Sequence, residues 1–323
     1  MSLTSDKDPA LISVVIPCHN EEESLPLLLQ ALRGVEGELF GADVEYIIVD
    51  DGSCDGTLRL ARELSAHDAR VRYISFSRNF GKEAAMLAGL EAAAGGYVCT
   101  IDADMQDSPE LLPRLYALVR EGEFDCAAVR RADRAGEPRL RSFFARRFYA
   151  LMASLSDVEV VPGARDYRLM SRPMVDAVLA LKETSRYSKG LFAWVGFRTV
   201  WVDMPNIRRA RGESKWSFFD LLFYAIDGIV SFSTKPLALS SVAGLALCAI
   251  SLVAIVFVII RQLIWGGSAY GWPSLVCIIL LTSGIQLFCL GILGQYLAKT
   301  FSEVKNRPVY IVRERGGGDH EET

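Results

Sequence analysis

Two carboxylates one residue apart, Asp102 and Asp104, stand in the stretch DADMQDSPE at 102–110, directly after the apolar run GYVCTI. Alternation along a strand would put both side chains on one face. Two carboxylates there repel each other unless a cation or a shared proton neutralises them. A hard divalent cation with open positions does so. Mg2+ typically takes one or two protein carboxylates and completes its shell with phosphate oxygens and water. Gln106 and Asp107 follow at once. A DxD alone also occurs as a solvated strand end; the polar residues clustered behind this one favour the cation. A second pair, Asp50 and Asp51 in VDDGSCDGT, and Glu21 in VVIPCHNEEESL also lie where apolar runs give way to turns. Carboxylates at such edges accept hydrogen bonds from ribose hydroxyls or a base N–H. Gly52, Ser53 and Gly56 suit a tight turn, and Asp55 or Ser53 suits a helix cap. There is no Walker-type or GxGxxG loop, which disfavours ATP hydrolysis and dinucleotide redox chemistry.

The elements that must position these groups alternate. Strands are expected at 11–17, 44–50, 71–77 and 97–104, and helices at 21–35, 55–68 and 82–95. Short β-rich runs alternating with helices imply a mainly parallel sheet covered on both faces. Ligands then bind beyond the carboxyl ends of the strands, where all these carboxylates fall.

The second half changes character. Leu237 to Ile260 is uncharged and apolar, and as a helix would span roughly 36 Å, enough for a bilayer core of about 30 Å. Ser274 to Ala298 is a second uncharged run. Basic residues flank the pair: Lys235 and the 208–215 cluster before it, Lys299, Lys305, Arg307, Arg313 and Arg315 after it. The positive-inside rule predicts a transmembrane hairpin in the cytoplasmic membrane, with both termini cytoplasmic and the short loop outside. Trp265, Tyr270 and Trp272 read as interfacial anchors. WSFFDLLFYAIDGIVSFS (216–233) carries a narrow polar stripe on an apolar helix and predicts an amphipathic helix in the membrane interface. The expected organisation is a catalytic domain over 1–215, the interfacial helix over 216–235, the hairpin over 236–299 and a cytoplasmic tail over 300–323.

The formal net charge of −4 supplies no global basic field for nucleic acid. Seven cysteines without a CxxC pair, and three histidines, argue against a zinc site or a disulfide framework. The polar, charged start predicts no signal peptide.

Taken together and in order, VVIPCHNEEESL, VDDGSCDGT, SRNFGKEAAMLAGL (77–90) and DADMQDSPE resemble the family 2 inverting glycosyltransferases of the GT-A fold. RDYRLMSRPMVDAV (165–178), SRYSKGLFAWVGF (185–197), RARGESKWSFFDLLFYAIDGIVSFSTKPL (209–237) and GQYLAKTFSEVKNRPVYIV (294–312) narrow the likeness to the polyprenyl-phosphate glycosyltransferases. That group includes dolichol-phosphate mannose synthase and the GtrB-type undecaprenyl-phosphate glucosyltransferases. The resemblance spans about residues 12 to 312. It implies transfer of a hexose, glucose first among the candidates, from a UDP-sugar to undecaprenyl phosphate. The product would be β-linked, and the assembly a membrane-bound homo-oligomer, a tetramer by analogy.

The resemblance also implies site roles. Pro17, His19, Glu21, Asp50 and Asp51 would cradle the nucleoside. Asp102 and Ala103 would line the nucleotide-sugar. Asp102, Asp104 and Gln106 would hold Mg2+ or Mn2+ against the diphosphate, with Asp104 taking part in catalysis. Arg130 and Arg209 would approach the phosphates, and Lys215 the acceptor phosphate. Asp166 would orient the acceptor or the sugar, or else form a salt bridge to Arg165 or Arg168. His19 departs from the Tyr common at that position, and Ser108 from a common Pro. The chain has no QxxRW element, which sets it apart from processive polysaccharide synthases.

Overall fold

The computed structural model describes residues 8–131, 161, 163–184, 186–204, 235–265 and 271–317. Arg209, Lys215, the expected interfacial helix and most of the basic residues between 130 and 147 lie outside them.

Residues up to 204 together with 307–317 form one compact unit, and 235–306 lie in a second. The first is an eight-stranded mixed sheet in the order β7-β5-β6-β4-β1-β2-β3-β8. Its strands are β1 (Asp8–Cys18), β2 (Asp43–Asp50), β3 (Val71–Phe76), β4 (Gly95–Thr100), β5 (Cys126–Arg131), β6 (Ala164–Ser171), β7 (Thr199–Met204) and β8 (Val312–Gly316). Its helices are α1 (Leu25–Val35), α2 (Thr57–His67), α3 (Lys82–Ala92), α4 (Leu112–Arg120), α5 (Arg172–Ala180) and α6 (Ser188–Trp194). Strands β4, β1, β2 and β3 run parallel; β6 is antiparallel to both β4 and β5, and β8 to β3.

Period-two alternation divides the core between the two faces of the sheet. Ile12, Val14 and Ile16 of β1, with Val44, Tyr46 and Ile48 of β2, pack with Leu25, Leu28, Leu29 and Leu32 of α1. Val15, Ile47 and Val49 point the other way, toward Ala84, Ala85 and Ala88 of α3 and Met174, Val175 and Val178 of α5.

Three boundaries differ from the sequence expectation. α1 starts at Leu25 rather than at 21, with a proline in its first turn, where the missing N–H costs nothing. β4 ends at Thr100 and not at 104. Its neighbour β1 accompanies it only as far as the Val15–Thr100 pair and one further bond, from Ile101 N to Val15 O at 3.1 Å. Asp102 and Asp104 therefore sit in a turn, with Met105 at φ 56°, and strand alternation does not set their direction. Lastly, the tail is not a free extension, because 312–316 forms the edge strand β8. Arg62 grips Glu314 through two bonds of 2.7 and 2.6 Å, and Tyr310 stacks on Phe76 with ring centroids 4.8 Å apart.

The second unit holds two long helices, α7 (Lys235–Trp265) and α8 (Trp272–Val304). They touch where Cys289 Sγ lies 3.9 Å from the Ser240 carbonyl. Leu245, Leu252, Leu263, Leu287 and Phe288 are each at least two-thirds exposed. By length and composition the segment Leu281–Val304 is apolar enough to cross a membrane.

Candidate active site

The strand order reverses between β1 and β4. From β1 the chain winds outward to β2 and β3, then returns to lay β4 on the other side of β1. The crevice beyond the carboxyl ends at such a reversal is where ligands enter open α/β sheets. The loop after β1 brings Glu21 there, and the loop after β4 brings Asp102 and Asp104.

The loops after β1 and β2 are stapled to one another. Asn20 N donates to Ser53 Oγ (2.9 Å), Cys54 N to Asn20 Oδ1 (2.8 Å), Glu21 N to Thr57 Oγ1 (2.8 Å) and Gly56 N to Glu22 Oε2 (2.9 Å). Gly52 is required by its φ of +64° and by the backbone of the loop after β3 lying against it, whereas Gly56 has only the movable end of Glu22 beside it. A Cβ on Gly52 would lie 2.4 Å from the Arg78 carbonyl carbon, and one on Gly56 2.1 Å from Glu22 Oε1. Pro17 is half-buried and His19 is exposed at this edge.

Asp50 and Asp51 turn inward. Asp50 accepts from Ser53 N (3.1 Å) through one oxygen and from Ser75 Oγ (2.7 Å) through the other. Asp51 accepts from Phe80 N (2.6 Å) and Gly81 N (2.9 Å). Both residues are buried. Asp50 ties the loop after β2 to β3, and Asp51 organises the loop leading to α3; the sequence had both facing a nucleoside.

The loop that Asp51 organises delivers Lys82 to the first turn of α3. Its Nζ lies 2.7 and 2.8 Å from the two oxygens of Asp102, and 2.5 Å from Asp166 Oδ2. Register explains the meeting: Thr100 of β4 pairs with Arg168 of the antiparallel β6, so two residues further on Asp102 comes opposite Asp166. The partner of Asp166 is thus Lys82, and neither Arg165 nor Arg168 as the sequence suggested. In the sequence Lys82 reads only as the first residue of an Ala-rich helix. One signal was available, because a lysine at a helix N-terminus opposes the helix dipole and so calls for nearby anions. Next to it, Glu83 accepts from Ser188 N (2.9 Å) and from Ser188 Oγ, tying α3 to α6.

At the far side of the turn, Gln106 N donates to Asp104 Oδ1 (3.1 Å). Gln106 Oε1 accepts from Arg131 Nη2 at 2.7 Å and more distantly from Arg165 Nη1 at 3.5 Å. Arg165 also pairs with Asp107, whose side chain is fully buried, at 2.7 Å. Arg130 points to the opposite side of β5, where it pairs with Asp203 at 2.6 Å. Of the two neighbours, then, Arg131 is the one that reaches the DADMQD turn. Ala103 is buried in the core.

The electrostatics follow. Desolvation raises the Glu21 carboxyl; the bond from Ser24 opposes this, and Asp104 and Asp102 raise it further. Glu21 thus feels the negative charge of the turn after β4. Burial would raise Asp166 as well, but Lys82, Lys189 and Arg168 outweigh it and hold the carboxyl at about 2. Desolvation would weaken the Lys82 ammonium; Asp102 and Asp166 overcome it, so Lys82 stays charged. Among the described residues no group of three or more His, Cys, Asp or Glu side chains forms a ready metal cage. The hard oxygens of Asp102 and Asp104, with Glu21 adding negative charge, suit a cation that takes one or two carboxylates and completes its shell from a diphosphate.

The fold and site define an α/β enzyme with carboxylates gathered at the reversal of a mixed sheet. The chain belongs to glycosyl transferase family 2, whose model matches residues 13–179, and it is a glycosyltransferase of the GT-A type. It is 39% identical to the glycosyltransferase sll0501 of Synechocystis over 95% of this chain and 96% of that one. It is 38% identical to the SfII prophage-derived bactoprenol glucosyl transferase of Shigella flexneri over 95% and 99%, and 36% identical to the prophage bactoprenol glucosyl transferase homolog of Escherichia coli over 94% and 98%. Among solved structures, glucosyl-3-phosphoglycerate synthase from Mycobacterium tuberculosis superposes with a TM-score of 0.46 at 22% identity, over 68% of this chain and 79% of that one.

Proposed function

We propose that this glycosyltransferase moves glucose from UDP-glucose to a polyprenyl phosphate of the bactoprenol (undecaprenyl phosphate) type, with inversion at the anomeric carbon. The observation that carries the reading is end-to-end likeness to a bactoprenol glucosyl transferase, which takes in the long apolar helices as well as the nucleotide-binding half.

The chain's own groups suit that chemistry. A phosphate acceptor is already anionic near neutral pH, so the reaction needs no strong base. Asp166, charged at neutral pH, serves to orient the acceptor or a sugar hydroxyl and not as a proton donor. Arg131 and Arg165 hold the DADMQD turn in shape. Mg2+ or Mn2+ bound by Asp102 and Asp104 together with the diphosphate would stabilise charge on the departing UDP. Gln106 could join that set only by leaving Arg131. His19, exposed at the crevice edge, is placed to meet the nucleoside. Arg209 and Lys215 keep their proposed phosphate roles.

The membrane reading rests on connectivity. β8 pairs with β3, so the chain after α8 returns to the sheet it left before α7. That return accords with a hairpin in which α7 and α8 each cross the bilayer once. Lys299, Lys305 and Arg307 beyond the second run favour a cytoplasmic catalytic unit. Gly291, Gly294 and Gln295 offer close packing and an amide for a homo-oligomeric contact, a tetramer in our reading. A cysteine at Gly267 should label from outside and the termini from the cytoplasm; an external C-terminus overturns the hairpin. The functional test is a donor screen on the purified protein with undecaprenyl phosphate, read by product mass. A hexosyl monophosphate lipid formed from UDP-glucose supports the reading. Formation only from UDP-N-acetylglucosamine, UDP-galactose, a mannose or an aminoarabinose donor reassigns the sugar, and no lipid product from any donor refutes the reading.

A further inference from the structure

Lys82 joins three elements that the fold brings together from distant parts of the chain: the start of α3, the turn after β4 and strand β6. An ammonium has three donors, and here three carboxylate oxygens surround it, two from Asp102 and one from Asp166. Its backbone is fixed from both sides. Asp51 clamps Phe80 N and Gly81 N just before it, and Glu83 just after it binds Ser188. The side chain is nevertheless 40% exposed, so the bridge can be reached from the crevice. Asp102 offers one carboxylate to two claimants: an ammonium seated on both its oxygens repels a divalent cation approaching the same group.

We propose that Lys82 is a positioning residue acting as a resident counter-cation: it holds Asp102 and Asp166 together before the donor arrives, yields Asp102 as the cation and diphosphate enter, and keeps Asp166 in place for the acceptor. This rests on the transferase reading above and adds to it a physical link between donor loading and the acceptor-side carboxylate. Arginine cannot substitute. Its planar fork sits further from the backbone and presents its donors in a fixed plane, so it would hold one carboxylate at the expense of the other.

The role differs in sign from that of an ordinary stabilising salt bridge. Loss of such a bridge loosens the site and weakens every ligand. Loss of a resident counter-cation removes a positive charge that competes with the incoming one, so cation binding tightens while transfer fails. The test uses the full-length protein in detergent with Lys82→Met and Lys82→Arg. Mn2+ is titrated by electron paramagnetic resonance, alone and with UDP, in the absence of acceptor lipid. Steady-state transfer from UDP-glucose to undecaprenyl phosphate is measured in parallel. For Lys82→Met we expect Mn2+ to bind about fivefold tighter, the scale of one unit charge removed at short range in a solvated site. We expect its kcat to fall about 100-fold, the scale of a misplaced catalytic group, without a rise in the KM for UDP-glucose. Lys82→Arg should keep Mn2+ affinity within about twofold of wild type, because the charge remains, yet lose kcat. Should Lys82→Met fail to fold, the near-isosteric, neutral Lys82→Gln carries the same expectations. Unchanged or weaker Mn2+ binding in the folded neutral variant overturns the proposal, and so does an unchanged kcat. If wild-type protein transfers nothing to undecaprenyl phosphate, the functional reading falls, and the Mn2+ titrations still decide whether Lys82 competes with the cation.

Discussion

Asp51→Asn separates two roles for one carboxylate. In the structure its two oxygens accept from Phe80 N at 2.6 Å and Gly81 N at 2.9 Å, and the residue is only 3% exposed. Asparagine keeps one acceptor and turns an NH2 toward the other N–H, donor against donor. The loss is one charge-assisted bond, about 1.5–3 kcal/mol, plus an unsatisfied buried N–H, about 1–3 kcal/mol. Burial raises the Asp51 carboxyl, against the two N–H bonds, which marks the charged form as costly and favours the low end. A total of about 3 kcal/mol lowers the melting temperature of a unit this size by about 6–12 °C. The same loop carries Lys82, so transfer should fall with it. The assay is thermal melting in detergent beside calorimetric UDP binding. If Asp51 instead faces the nucleoside, UDP affinity drops tenfold or more while melting stays put. A melting temperature within about 2 °C of wild type, well inside the expected shift, would refute the loop-organising role.

Asp104→Asn or Asp102→Asn should abolish transfer while the protein stays folded; near wild-type rates for either variant in EDTA would remove the cation from the mechanism. Arg165→Met strands the fully buried Asp107 carboxylate and should cost about 3–5 kcal/mol in denaturant unfolding, most of it recovered in Arg165→Met/Asp107→Leu. Asp166, held at about 2 against an ordinary 3.8, stabilises the fold by about 2 kcal/mol at neutral pH. A depressed carboxyl gives its full contribution above the unfolded value and loses it as pH falls through the folded one. That part of the stability should therefore fade between about pH 4 and pH 2, and a stability–pH curve for Asp166→Asn should lack it.

Much of the architecture was legible locally. The short apolar, β-branched runs VVI and YIIV, and the helical spacing of LPLLLQALRGV, point to their elements from local sequence alone. The placing of carboxylates at strand ends followed from those elements, and the uncharged runs 237–260 and 274–298 fall within the two long helices observed. Boundaries failed where a neighbour decides them. β4 leaves β1 after the Val15–Thr100 pair although β1 runs on to Cys18 beside β2, and 312–316 becomes a strand only because β3 presents an open edge.

The partners within the site belong to the tertiary structure alone. Lys82 meets Asp102 across 20 residues of sequence and Asp166 across 84. Nothing within a helical or strand period relates them; the antiparallel register of β4 and β6 does. The sequence pointed to Arg130, but it pairs with Asp203, and strand direction sends its neighbour Arg131 to Gln106. Asp51 looks like a ligand-facing carboxylate until the fold brings the backbone of Phe80 and Gly81 against it. The sequence by itself therefore determined which residue types stand at the ligand edge, because edge position follows from local periodicity. Which of them face one another was decided by strand order and register, which bring distant residues within hydrogen-bonding range.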